Sequence, residues 1–241
     1  MGKPAPKGGI VSEFRSYRLD APECRDSAGG GVTLEGYAAV YGRYSQNLGG
    51  FVEVIEPGAF DDVLGRGSNI AGLLNHEPSR LLATTRSGTL RLTSDAVGLR
   101  YAIDLDETDP DGQSAAAKAR RGTLRGSSFS FDVAPDGVEW AQTEQGFPLR
   151  RLRSIAALYD VGPVTFPAYL ATEDDELAVS LRSLSVSTGH DVADLIAAAR
   201  RNALADMLTP AQVAGVPAVE VDAQHARPTS ARRWAARARN H

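Results

Sequence analysis

Between Val32 and Ala171 short apolar segments recur between turn signals, and most of them read as strands. "VTLEGYAAVYG" and "GFVEVIEPG" carry β-branched and aromatic residues bounded by glycines. "GTLRLTSDAVGLRYAIDLD" predicts a hairpin. Leu90 and Leu92 alternate with Arg91 and Thr93, Ser94-Asp95 turns the chain, and Leu99, Tyr101, Ile103 and Leu105 alternate with Arg100, Ala102 and Asp104. Further strands are expected at "LRGSSFSFDV", "GVEWAQT" and "LRRLRSIAALYDVGPV". Two short helices break the run. One follows Pro57 at "GAFDDVLGRG", and the other, "GQSAAAKARRG", closes on Gly122. The pattern predicts a mainly β fold: a closed or partly open antiparallel β-barrel with a few inserted or peripheral helices.

The flanks differ in character. Residues 1–31 are rich in Gly, Pro and charge and end in Gly29-Gly30-Gly31, which predicts a flexible N-terminal arm before a barrel domain at 32–172. Residues 173–241 turn to Ala, Arg and Asp. Within them "HDVADLIAAARRNALADML" keeps Val192, Leu195, Ile196, Ala199, Ala203 and Met207 at helical spacing until Pro210. The end carries Arg227, Arg232, Arg233, Arg237 and Arg239, a basic tail suited to an acidic partner.

Composition narrows the chemistry. At 42% hydrophobic and 23% charged the chain has the make-up of a globular protein, with no apolar run long enough to span a bilayer. The start, "MGKPAPKGGIVSEF", has no apolar core of a signal peptide, so a cytosolic protein is expected. A net charge of −4 gives no reason to expect nucleic-acid binding. Cys24 stands alone, so neither an internal disulfide nor a cysteine zinc site can form. There is no H-E-x-x-H and no glycine-rich phosphate loop. The acidic "DLDETDPDG" lacks the spacing of a calcium loop and reads as a solvated loop and helix cap. No metal and no cofactor is expected.

Nucleophilic serine chemistry is left. A serine hydroxyl needs an imidazole to take its proton, and the imidazole needs an orienting partner. Of four histidines, His190, His225 and His241 lie in the C-terminal zone, so His76 is the one available to the strand-rich region. Ser127, Ser128 and Ser130 lie in "LRGSSFSFDV", where period two turns Phe129 and Phe131 to one face and Ser128 and Ser130 to the other. The G-x-S-x-G elbow is not met. "IAALYDVGPVTFPAYL" supplies Asp160, isolated among apolar residues and costly to bury without a partner. Each of these residues also has a plain structural reading, as a turn histidine, a polar strand face and a strand-end aspartate.

The order of these blocks resembles the prohead proteases of tailed bacteriophages, of the HK97 type, which are related in fold to the herpesvirus assemblins. "GGFVEVIEPGAFDDVL" is similar to the family's E-x-I-x-P-G-A-F segment. "LLNHEPSRLLATTRSGTLRLTSDAVGLRYAIDL" resembles its histidine block, "RGTLRGSSFSFDV" its serine block, and "LYDVGPVTFPAYLAT" its closing block. The resemblance implies a serine endopeptidase with Ser128 as nucleophile, Ser127 being the fallback, His76 as general base and Asp160 as the orienting carboxylate. It further implies action inside the immature prohead in the host cytoplasm. The substrates would be the scaffold protein, the N-terminal segment of the major capsid protein, and the protease itself. Self-association is a further expectation, with neither nucleic acid nor membrane required. The competing class is a non-catalytic capsid assembly or scaffolding protein on the same fold.

Overall fold

The structure is a computed structural model that describes residues 12–17, 21–26, 31–165, 174–209 and 212. In chain order the strands and helices are β1 (Glu13–Tyr17), β2 (Glu23–Asp26), β3 (Val32–Val40), β4 (Val52–Ile55), α1 (Asp61–Gly65), β5 (Ala71–Leu73), β6 (Leu81–Thr84), β7 (Leu90–Ser94) and β8 (Gly98–Leu105). They continue with α2 (Pro110–Arg120), β9 (Gly126–Val133), β10 (Val138–Gln142), β11 (Pro148–Leu152), β12 (Ile155–Val164), α3 (Asp174–Thr188) and α4 (Val192–Arg200).

The fold is mainly β, with several sheets and a few helices. The strands form a five-stranded sheet in the order β1-β9-β12-β5-β6, a four-stranded sheet β2-β3-β8-β7 and a three-stranded sheet β10-β11-β4. The expectation of a closed, all-antiparallel barrel does not hold: among the described residues no closed barrel is formed, and two pairings, β12 with β5 and β11 with β4, are parallel. Alternation along a strand tells which face is buried, but not which strand lies alongside. A parallel neighbour requires a long crossover, and residues 74–154 provide it between β5 and β12.

The expected hairpin forms as β7 and β8, with Leu92 opposite Tyr101. The stretch expected as one strand from residue 149 to 164 breaks into β11 and β12. At the break the N–H groups of Arg153 and Ser154 both turn to the Gly137 carbonyl, at 2.8 and 3.4 Å. Helix α2 opens on Asp109, whose carboxylate accepts from the Asp111 and Gly112 amides, and it closes on Gly122 in the left-handed region.

Phe129 and Phe131 go into the main core, stacked with centroids 4.8 Å apart, and Phe60 meets Phe129 edge-on. Such fully buried side chains contribute on the order of 1.5–3 kcal/mol each. The other face of β9 is not solvated: Ser128 is wholly buried and Ser130 nearly so.

Both flanks enter the structure. Residues 1–31, expected as a flexible arm, supply β1 to the edge of the five-stranded sheet and β2 to the four-stranded one. The described part of the C-terminal zone, residues 174–209, holds two α-helices where one was expected. In α3, Leu177, Leu181 and Leu184 form an apolar stripe, but interspersed serines mask it in the sequence. Two of those serines are tertiary contacts, since Ser183 accepts from the Trp140 indole at 2.9 Å and Ser180 reaches β1. Helix α4 ends at Arg200, before Asn202 takes a left-handed conformation, so the expected helix to Met207 finishes as a separate 3-10 turn at Leu204–Met207. The two helices pack on Phe51 and Trp140, forming a second core. The arginine-rich tail lies outside the described residues.

Candidate active site

Strand β12 is the hinge of the geometry. It lies between β9, which carries the serines, and β5, which leads to the histidine. Its register sets Asp160 opposite Ser130 and Gly162 opposite Ser128 on one side, and Asp160 beside Ala71 on the other. Residues alternating along a strand share a face, so Asp160 lies diagonally from Ser128 on the same side of the sheet.

The chain leaves β5 at Leu73, buries Leu74, and then sets Asn75 and His76 both at φ 58. Two consecutive non-glycine residues in this region cost about 1–2 kcal/mol each. The turn is held by β12 and the residue after it: the Asn75 amide donates to the Pro163 carbonyl at 3.1 Å, and the Asn75 Oδ1 accepts from the Thr165 amide at 2.8 Å. Pro78 then opens a short 3-10 turn that carries the chain away.

The turn brings the three residues singled out in the sequence together. His76 Nδ1 lies 2.5 Å from Asp160 Oδ1, and His76 Nε2 is in hydrogen-bond contact with Ser128 Oγ. Ser128 Oγ also donates to the main-chain carbonyl of Arg15 at 2.7 Å. The imidazole is part-exposed, the carboxylate mostly covered, and the hydroxyl fully buried. Phe14 of β1 meets the His76 ring edge-on at 5.3 Å. Ser127 points elsewhere, its hydroxyl lying 2.9 Å from the Tyr101 phenol in the core.

A second polar group adjoins the first through Arg15. Glu13 and Arg15 of β1, Glu53 of β4 and Arg150 of β11 are all buried and bonded to one another. Arg15 holds Glu53 with Nε at 2.8 Å and Nη2 at 3.1 Å, while Arg150 Nη1 bridges Glu13 at 2.6 Å and Glu53 at 2.7 Å. Ser180 of α3 accepts from Arg15 and donates to Glu13, both at 3.0 Å. Burial pushes the Glu13 carboxyl up, but Arg150 and Arg15 outweigh it and hold the group at about 2. The signal for β1 was present in "EFRSY", where charged and aromatic residues alternate, but the surrounding Gly and Pro concealed it.

The other arginines near the serine strand in sequence are engaged by carboxylates: Arg151 by Glu56 at 2.5 Å, and Arg153 by Glu139 at 3.2 Å. Burial pushes the Cys24 thiol up, against a nucleophilic role. Among the described residues no cluster of three or more His, Cys, Asp or Glu is placed to hold a metal, and no helix is long and apolar enough to cross a membrane.

A family model described as caudovirus prohead serine protease matches residues 17–188. The chain belongs to that family. All three residues brought together at the end of β5, on β9 and on β12 fall inside the matched span. Among solved structures, the capsid assembly protease of bacteriophage T4 is similar at 13% identity, over 65% of this chain and 97% of that one, with a TM-score of 0.42. No curated protein matches the chain. A prohead protease family member with a serine, an imidazole and a carboxylate in contact has the parts for acyl transfer.

Proposed function

We propose that this chain is the serine endopeptidase of capsid maturation, acting inside the immature prohead on the scaffold, the major capsid protein's N-terminal segment and itself. The observation that carries the reading is His76, whose ring contacts Asp160 through Nδ1 and Ser128 through Nε2. In the reaction Ser128 Oγ bonds to the scissile carbonyl carbon as its proton passes to His76 Nε2. The C–N bond then breaks, and the same proton goes from His76 to the leaving amine. Water, activated by His76 in turn, adds its hydroxyl to the acyl carbon and restores the serine hydroxyl. Asp160 fixes the tautomer with the proton on Nδ1 and stabilises the imidazolium that forms.

Co-expression with the major capsid protein tests this. The wild-type chain is expected to shorten the capsid protein, and Ser128→Ala and His76→Ala to leave it intact. Equal processing by the wild type and Ser128→Ala would sink the assignment. Absence of processing by the wild type, with normal shells assembled, would favour a non-catalytic assembly role.

A further inference from the structure

We propose that β1 occupies the place of a substrate strand. The edge of β9 that it covers, with Glu53 and Arg150 beside it, selects peptides of the form acidic residue, any residue, basic residue, cut after the basic one. The inference rests on the reading that Ser128 is the nucleophile.

Four observations converge on it. First, the hydroxyl of Ser128 is wholly buried, so a substrate reaches it only if something that covers it moves. Second, among the described strands β1 is the outermost of its sheet, and it pairs antiparallel with β9, with Ser16 opposite Ser128. Adding an extended peptide to a sheet edge is a standard mode of peptide capture, and here the edge belongs to the nucleophile's own strand. Third, a main-chain group of β1, the Arg15 carbonyl, meets Ser128 Oγ at 2.7 Å. In a substrate, that carbonyl belongs to the residue on the N-terminal side of the cut bond. The single proton of the hydroxyl can serve the Arg15 carbonyl or His76 Nε2, so a strand that holds it this way also keeps it from the base.

Fourth, the side chains of β1 are sorted by charge. Glu13 and Arg15 share one face of the strand, where Arg15 meets Glu53 and Glu13 meets Arg150. Phe14, on the other face, is half-exposed and meets the His76 ring edge-on, so the middle position is not one of the charged pair. Glu53 and Arg150 sit on β4 and β11, which pair with each other without β1, and their own bond of 2.7 Å does not need it. The charge pattern therefore stays when β1 leaves. Arg150 Nε is, among the described residues, a buried donor without a partner. Apolar packing would stabilise such a site as well as buried ions do, so stability alone does not account for the charges.

The reaction on such a peptide is the one given above, with Ser128 Oγ bonding to the carbonyl carbon of the basic residue and water completing the hydrolysis. The test uses the full chain, as wild type and as Arg15→Gln, the latter to weaken the hold on β1. Two peptides are compared: "SEFRSY", the sequence of residues 12–17, and the exchanged "SRFESY". Ser128 is labelled in parallel with a fluorophosphonate. The expected result is cleavage of the first peptide at its Arg-Ser bond with kcat/KM about tenfold or more above the second, a ratio that a buried charge mismatch readily supplies. Cleavage of the first peptide is expected to be faster with Arg15→Gln than with the wild type. Equal cleavage of both peptides, or labelling of Ser128 with neither peptide cut by either chain, would overturn the proposal. Failure of Ser128 to label in either chain would instead overturn the nucleophile assignment on which it rests.

Discussion

Gly162 faces Leu73 so closely that a Cβ built on it would stand 1.9 Å from the Leu73 carbonyl oxygen. Backbone cannot give way as a flexible side chain would. Gly162→Ala is therefore expected to push β5 from β12, and His76 follows Leu73 by three residues. The cost is expected at about 1–3 kcal/mol, as for other overpacked sites. A thermal melt and a peptide hydrolysis assay check it together, with activity falling further than stability alone accounts for.

Asp160→Asn preserves shape while removing the charge that meets His76 Nδ1, which the proposed reaction uses to orient the imidazole. The expected loss in kcat is on the order of 10⁴-fold, the size seen when a triad aspartate becomes an amide. The melting temperature should change little by comparison. A variant with kcat within about tenfold of wild type would remove Asp160 from the catalytic group.

Ser127 and Ser128 adjoin in sequence and part in space. Ser127→Ala leaves the buried Tyr101 phenol without its partner, at a cost of about 1–3 kcal/mol. It is expected to leave fluorophosphonate labelling of Ser128 intact. Ser128→Ala should abolish labelling. Mass spectrometry of the labelled peptide separates the two.

Asn75 lies at φ 58 and accepts from the Thr165 amide. Glycine tolerates that backbone conformation and alanine does not. Asn75→Gly is expected to lose the hydrogen bond alone, about 1 kcal/mol, and Asn75→Ala to lose about 1–2 kcal/mol more. Chemical denaturation of the two variants beside wild type gives the order directly.

The candidate site was proposed from scarcity for His76 and Asp160, and from the family resemblance for Ser128 among three serines. A single histidine in the strand-rich region and a single aspartate in an apolar run pick themselves out. The Phe129/Phe131 alternation gave the two faces of β9, and the helix caps at Asp109 and Gly122 were readable from local rules. Pairing was not legible, because a strand's pattern records burial and not its neighbours. The parallel contact of β5 with β12 closed the site without leaving a signal in either segment. Strand β1 was lost to its surroundings, and α3 to serines whose partners are distant in sequence.

Glu13 links stability to acid. Its carboxyl titrates near 4.5 in the unfolded chain and at about 2 in the folded one. The depressed value means that its contribution is complete above about pH 4.5 and fades as the pH falls toward 2. Denaturation midpoints are expected to drop across that window for wild type. Glu13→Gln should drop less there, and should start lower at neutral pH by about 3–5 kcal/mol, the usual cost of breaking a buried ion pair.

Ser180 gives this ion group a third side. It belongs to α3, on the far side of the protease-like sheets in sequence, yet its hydroxyl bridges Glu13 and Arg15. A strand early in the sequence and a helix after the sheets thus meet at one hydroxyl. Any event that peels α3 away admits water to the four charges, and water at once weakens the pull that each exerts on the others. Trimming that removes α3 would in that way reach the N-terminal strand, as well as uncovering the Phe51 and Trp140 rings.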